Sequence, residues 1–316
     1  MRCAVLDDYQ GVSLAMVDWS VLSGQVEVTV HREHFATEDE VAEALRDQEI
    51  VVIMRERTPF PASLFARLPS LRLLITSGMR NASIDLTAAA SAGVTVCGTG
   101  STSEAPVELT WALILGLARH IVTENTALRA NGPWQSTVGT LLAGKTLGLI
   151  GFGKIGVKVA RVARAFGMDV VAWSQNLTAD RTSAEDVRLA ASKEELLASS
   201  DVVSVHVVLS ERTRGLLDAD ALKAMKPSAL LVNTSRAAIV DQQAMVTALR
   251  EGWIAGAAAD VFETEPLPAD DVLRTVPNFL ATPHLGYVTD ANYSIYFREA
   301  VEDIQAFLAG APIRTL

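Results

Sequence analysis

Three side chains of complementary chemistry stand just beyond short apolar runs in the second half of the chain. Arg236 follows L-L-V-N-T-S, Glu265 lies in D-V-F-E-T-E-P, and His284 closes A-T-P-H. A guanidinium is always charged and fork-shaped, so it can grip a carboxylate and polarise a neighbouring carbonyl. An imidazole titrates near neutrality and can hand a proton to that carbonyl oxygen. A carboxylate beside the ring favours its charged form and sets its tautomer. The set suits reduction of a 2-oxo acid, where oxygen takes a proton as hydride reaches carbon. Taken singly, each residue reads as a surface His, a solvated Glu or a structural Arg. What joins them is position, because open α/β sheets bind ligands beyond the C-terminal ends of their strands.

A hydride donor is implied upstream. Between Lys145 and Asn176 an apolar run, Leu147 to Ile150, leads into Gly151, Gly153 and Gly156 with the G-x-G-x-x-G spacing. Ile155, Val159, Val162 and Phe166 then share one helical face, Gly167 stops the helix, and Met168 to Trp173 reads as the next strand. Glycine permits the tight turn and close backbone approach, and a helix N-terminus favours a pyrophosphate. The spacing alone is weak evidence, but strand, helix and second strand together make a dinucleotide site.

The remaining elements must position these groups. At 316 residues the chain suits two domains, and 49% hydrophobic residues suffice for two cores. A net charge of −10 argues against a nucleic-acid surface, which needs clustered Lys and Arg. Cys3 and Cys97 read as two buried thiols, not a disulfide or a metal site. No signal peptide or membrane-length apolar run is evident, which leads to the expectation of a soluble cytoplasmic protein.

Five strand candidates, Cys3 to Leu6, Val26 to Val30, Ile50 to Met54, Leu71 to Thr76 and Val94 to Cys97, alternate with helical stretches. This is one α/β unit with a parallel sheet. Ser103 to Ile121 reads as one long apolar connector helix, with Ser103 as N-cap and Pro106 in its first turn. Asn131-Gly132-Pro133 and the polar region to Gly144 read as a loop. The second unit continues with strands at Val202 to Val207, Ala229 to Asn233, Ile254 to Ala259 and Phe279 to Thr282. A last helix over residues 291 to 309 has no place in that unit and is expected to pack on the first.

These motifs in combination resemble the D-isomer-specific 2-hydroxyacid dehydrogenases, over nearly the whole chain. The resemblance rests on G-F-G-K-I-G at 151 to 156, L-L-V-N-T-S-R at 230 to 236, A-A-A-D-V-F-E-T-E-P at 257 to 266 and T-P-H at 282 to 284. It implies two doubly wound parallel-sheet α/β domains: a flavodoxin-like substrate domain (1 to 98 plus 285 to 316) and a Rossmann nucleotide domain (99 to 284). A cleft would separate them, with hinges near 98 to 102 and 284 to 290. By the same resemblance Arg236, Glu265 and His284 are the catalytic trio. The cofactor would meet Gly151, Phe152, Gly153, Lys154, Ile155, Gly156, His206, Thr213 and Thr234, with Asp260 on the nicotinamide carboxamide.

Substrate-side residues follow likewise. Arg55 and Arg57 resemble the family's substrate arginines, and the loop holding Gly78, Met79 and Arg80 would bind the substrate carboxylate on backbone N–H groups. Arg80 departs from the pattern, standing where a second glycine is frequent, so it either points away or adds positive charge. Tyr287, Tyr293, Tyr296, Phe297, Met54 and Met79 would suit a bulky 2-oxo acid, though core packing explains such residues as well. Members are usually dimers through the nucleotide domain, which places the connector helix around Trp111 and the loop near Trp134 at the interface. Related functions are a nucleotide-binding corepressor of the same fold, or formate or phosphite oxidation. Formate dehydrogenases carry Gln in place of Glu265.

The cofactor's identity turns on Ser174, Gln175 and Asn176. An acidic residue about 20 positions past the glycines usually grips the ribose hydroxyls of NAD. Here Trp173 is followed by no carboxylate, so nothing repels a 2′-phosphate. Either NADP or NAD can serve, with NADPH favoured; no arginine follows immediately, and Arg181 is the one that would have to fold back over the site.

Overall fold

Ile50–Ile53, the third strand, is a run of four β-branched residues with all four side chains buried. Such a run suits a strand covered on both faces. It sits at the centre of a five-stranded parallel sheet formed by β1 (Arg2–Val5), β2 (Glu27–Val30), β3 (Ile50–Ile53), β4 (Leu73–Thr76) and β5 (Thr95–Gly98). The strand order is β2-β1-β3-β4-β5, the flavodoxin-like winding. The computed structural model describes all 316 residues.

A second parallel sheet has seven strands: β6 (Thr146–Ile150), β7 (Asp169–Trp173), β8 (Arg188–Leu189), β9 (Val202–Val205), β10 (Leu230–Asn233), β11 (Gly256–Ala259) and β12 (Phe279–Ala281). Their order is β12-β11-β10-β9-β6-β7-β8. Successive side chains of a strand face opposite ways, and β10 shows it: Leu230 and Val232 enter one core, Leu231 the other. The first core is closed by the helices Glu104–Ala118 and Lys154–Ala165, the second by Lys193–Ser199 and Gln242–Arg250.

The chain divides into two compact units, residues 1–102 with 289–316, and residues 103–288. The boundaries fall a few residues beyond those expected, because each coincides with the start of a helix, at Glu104 and at Asp290. The helix Asp290–Leu308, capped by Thr289 on the Asn292 amide at 3.2 Å, belongs to the first unit. It buries Tyr293, Tyr296, Phe297, Ala300, Val301 and Ile304. Beyond it the chain lies antiparallel along β5: Leu316 N–H bonds Val96 O at 2.9 Å, and Gly98 N–H bonds Arg314 O at 3.0 Å.

The connector differs from expectation. The helix Glu104–Ala118 ends three residues early, His120 turns left-handed at φ 51°, and a second helix runs over Ile121–Arg129, ahead of the expected loop. Continuous apolar composition through Ile121 hides the break, which is made when the Arg119 and His120 amides bond back to Leu115 and Leu117. Ser103 occupies the N-cap position without capping, its hydroxyl accepting a bond from Lys158 Nζ at 2.7 Å. Both cysteines are buried and free. No single helix is long and apolar enough to cross a membrane.

Candidate active site

In the second unit the direction of winding reverses between β6 and β9, and ligands of such sheets settle at that switch point. The glycine turn follows β6 and His206 follows β9. Gly151, at φ 101°, packs so tightly that a Cβ would sit 2.6 Å from the His206 carbonyl carbon and oxygen. At Gly156 a Cβ would lie 2.4 Å from Gly151 O, so the helix approaches the turn closely. Gly153 is different, with nothing within 4 Å of its Cβ position. It is the N-cap of Lys154–Ala165 and has no side chain to satisfy the first amides. The turn therefore presents open space and unused donors, which fits a pyrophosphate.

Side chains around the turn sort by what they touch. Phe152 is a core residue, so it can meet a nucleotide only through its backbone, and Ile155 packs partly against the same core. Lys154 is exposed. His206 Nε2 lies 2.9 Å from Ser204 Oγ, and burial pushes its pKa down to about 4, so the ring is neutral at pH 7. Thr213 folds its hydroxyl onto Val208 O at 2.7 Å and shapes the loop after β9. Thr110 uses its single hydroxyl proton on Pro106 O, so the 2.9 Å contact with Thr234 makes Thr234 the donor. The Thr234 lone pairs stay available. Trp173 O accepts the Gly151 amide at 2.8 Å, which sets Ser174, Gln175 and Asn176 beside the turn.

The reactive trio comes from three adjacent strands of this sheet. Arg236 follows β10, Glu265 follows β11 and His284 follows β12. Glu265 and His284 are in contact, with Oε2 and Nδ1 2.6 Å apart. A carboxylate only accepts, so Nδ1 carries the proton of that bond. Glu265 is itself held by the Phe262 amide on Oε1 at 2.9 Å. Arg236 sits on a loop clamped by Asn233, whose amide group donates to Arg236 O at 2.9 Å and accepts from Ser235 N at 3.0 Å.

Asp260 is an anchor for the segment carrying His284. Its carboxylate accepts from Thr282 Oγ1 at 2.6 Å, Leu285 N at 2.7 Å and Gly286 N at 2.8 Å. Those bonds hold His284 in the left-handed region at φ 53°. Burial raises the Asp260 pKa, against the lowering influence of these donors and of His284. Sequence reasoning missed Asn233, Thr110 and Thr282 as positioning residues, because single polar residues at strand ends carry no spacing signal.

The expected substrate residues lie in the first unit, after β3 and β4. Arg55 is left-handed at φ 55°, its carbonyl held by Asn81 Nδ2 at 2.7 Å. Gly78 makes room for it: a Cβ there would fall 2.2 Å from Arg55 Nη1. The Gly78 amide already donates to Thr99 Oγ1 at 3.0 Å, so its part is steric, not the donor role expected. Arg80 and Met79 are exposed. Met54, Tyr287, Tyr293, Tyr296 and Phe297 are buried, and the Tyr287 ring meets the His284 ring edge-on at 5.6 Å.

A nucleotide turn and an acid–base pair on the edge of one Rossmann sheet define a class, the nicotinamide-dependent oxidoreductases. Comparison with known proteins narrows it. Residues 111–286 match the model of the D-isomer specific 2-hydroxyacid dehydrogenase NAD binding domain. A glyoxylate reductase of Aeropyrum pernix is 39% identical over 259 residues, which cover 78% of this chain and 76% of that protein. An (S)-sulfolactate dehydrogenase of Chromohalobacter salexigens is 40% identical over 241 residues, covering 75% and 78%. The crystal structure of a phosphoglycerate oxidoreductase from Vibrio cholerae superposes with a TM-score of 0.93 at 38% identity, over 98% of this chain and 100% of that one. The chain belongs to the D-isomer specific 2-hydroxyacid dehydrogenase family. It is a dehydrogenase that uses a nicotinamide dinucleotide to interconvert 2-oxo and 2-hydroxy acids.

Proposed function

We propose that the protein reduces a 2-oxo acid to the D-2-hydroxy acid, with His284 as general acid. The observation that carries this reading is the 2.6 Å bond between His284 Nδ1 and Glu265 Oε2 at the edge of the nucleotide sheet. The dinucleotide, bound at the glycine turn, supplies hydride. Glu265 fixes the ring so that Nε2 presents the proton to the carbonyl oxygen. Arg236 polarises that carbonyl and holds the substrate. Arg55 and the amides of Met79 and Arg80 receive the carboxylate. Asp260, Thr234 and His206 order the nicotinamide end.

We further propose that NADPH serves at least as well as NADH. Ser174, Gln175 and Asn176 bring no carboxylate against a 2′-phosphate. A homodimer through the second unit is supported by the helix Ile121–Arg129, which buries none of its residues. A nine-residue helix is marginal by itself in water, so a partner surface is called for. On the connector helix Trp111 itself is buried, its ring 5.0 Å from that of Phe166, whereas Trp134 in the following loop is 78% exposed.

The test is steady-state turnover of glyoxylate, hydroxypyruvate, sulfopyruvate and phenylpyruvate with both coenzymes, for the wild type and His284→Ala. Loss of about 10²- to 10⁴-fold in kcat, with coenzyme binding retained, is the expected result. Undiminished turnover by the variant removes His284 from the reaction. A wild type inert toward every 2-oxo acid overturns the enzymatic reading.

A further inference from the structure

The helix Ala179–Ser183, which follows β7, carries Arg181. Its Nη2 donates to Phe152 O, in the glycine turn, at 3.0 Å. This contact joins the segment beyond Ser174 to the turn that receives the pyrophosphate. The neighbouring arginines have a different fate. Arg161 binds Glu185 through two bonds of 2.8 and 2.6 Å, Arg164 pairs with Asp186 at 2.8 Å, and Arg188 pairs with Glu195. Arg181 pairs with no carboxylate, in a chain where Asp and Glu outnumber Lys and Arg by 37 to 27.

What sets Arg181 apart is its place, a guanidinium held on the nucleotide turn itself with no carboxylate beside it. One donor of the fork is spent on Phe152 O, which fixes the direction of the group, and the rest remain for an anion. Ser174 starts the same segment, held beside the turn by the bond from Gly151 N to Trp173 O. Where a carboxylate would grip the ribose, this chain has a hydroxyl, two carboxamides and, seven residues on, a guanidinium. That combination offers hydrogen-bond donors and a positive charge to a phosphate monoester dianion.

We propose that Arg181 is the receptor for the 2′-phosphate of the coenzyme, with Ser174 completing the subsite. The inference rests on the reading that NADPH is accepted, and it names the residue that decides the preference. Arg181 is exposed and makes a single bond, so its substitution leaves the fold intact. The Phe152 carbonyl acts as a positioning group, holding the fork toward the ribose.

The experiment has two arms. In the first, KM for NADPH and for NADH is measured for the wild type, Arg181→Gln and Arg181→Lys. The ratio of the two KM values rises roughly 10- to 100-fold in Arg181→Gln, the loss expected for charge-assisted hydrogen bonds, and less in Arg181→Lys. An equal rise for both coenzymes overturns the proposal, since it would show that Arg181 only braces the glycine turn. In the second arm, calorimetry compares 2′,5′-ADP with 5′-ADP. The wild type binds 2′,5′-ADP more tightly and Arg181→Gln does not. A wild type without that preference defeats the NADPH reading itself. A preference kept in full by Arg181→Gln defeats the role of Arg181 alone.

Discussion

Gly151 and Gly153 belong to one motif, yet the structure assigns them opposite sensitivities. Alanine at Gly151 must adopt φ 101° and place a methyl 2.6 Å from the His206 carbonyl atoms and 2.7 Å from Val207 N. The backbone conformation costs roughly 1–2 kcal/mol for an L-residue. Forcing the end of β9 away costs about 1–3 kcal/mol more, as for an overpacked core. The total is on the order of 3 kcal/mol, which lowers Tm by roughly 6–12 °C in a unit of this size. Alanine at Gly153 meets nothing within 4 Å and has an ordinary φ of −89°. Its stability changes by about 1 kcal/mol at most, as at other N-caps. The methyl instead enters the space left for the pyrophosphate, and Kd for coenzyme rises roughly tenfold or more. Thermal melts with and without coenzyme, together with titration of tryptophan fluorescence by NADPH, measure both effects. The reasoning fails if Gly151→Ala melts with the wild type, or if Gly153→Ala binds coenzyme with unchanged affinity.

Two more outcomes concern stability and assembly. Asp303 is fully buried, with Oδ1 on Arg314 Nε at 2.9 Å and Oδ2 unpartnered. Burial pushes its pKa up to about 7, Glu299 and Glu302 add to this, and Arg314 opposes it. The native state then holds a proton that the unfolded chain, titrating near 3.9, has released, so this group's contribution to stability falls as pH rises from about 4 to 7. Asp303→Asn removes that slope, and urea melts at pH 5 and pH 7.5 should show the wild type losing more than the variant over the interval. For assembly, Ile121, Val122 and Leu128 are each more than half exposed on a helix that buries nothing. Ile121→Glu with Leu128→Glu should shift sedimentation from dimer to monomer, and an unchanged dimer would place the interface elsewhere.

The sheet strands were readable because each is a short apolar run closed by turn residues. The two-residue strand Arg188–Leu189 was not, being too brief to leave a period. The helix Ile121–Arg129 escaped notice for a related reason. It presents no face to a core of its own, so it lacks the apolar stripe by which helices are recognised. The Met79–Arg80 loop was located by resemblance, but the sequence could not show that the Gly78 amide is taken by Thr99, a residue 21 positions away.

By itself the sequence determined the order of elements and the chemical types at strand ends. Alternating apolar runs dictate a parallel α/β chain, and Arg236, Glu265, His284 and the three glycines announce themselves by type and spacing. Tertiary structure alone decided which of them meet and in what state. It brought Glu265 to 2.6 Å from His284 and turned Asp260 into the anchor of the His284 segment. It also buried Trp111 and left Arg181 on Phe152 O without a carboxylate. The physical reason is that hydrogen bonds and desolvation depend on distances across the fold. Local patterns specify the strands, but not what their loops encounter.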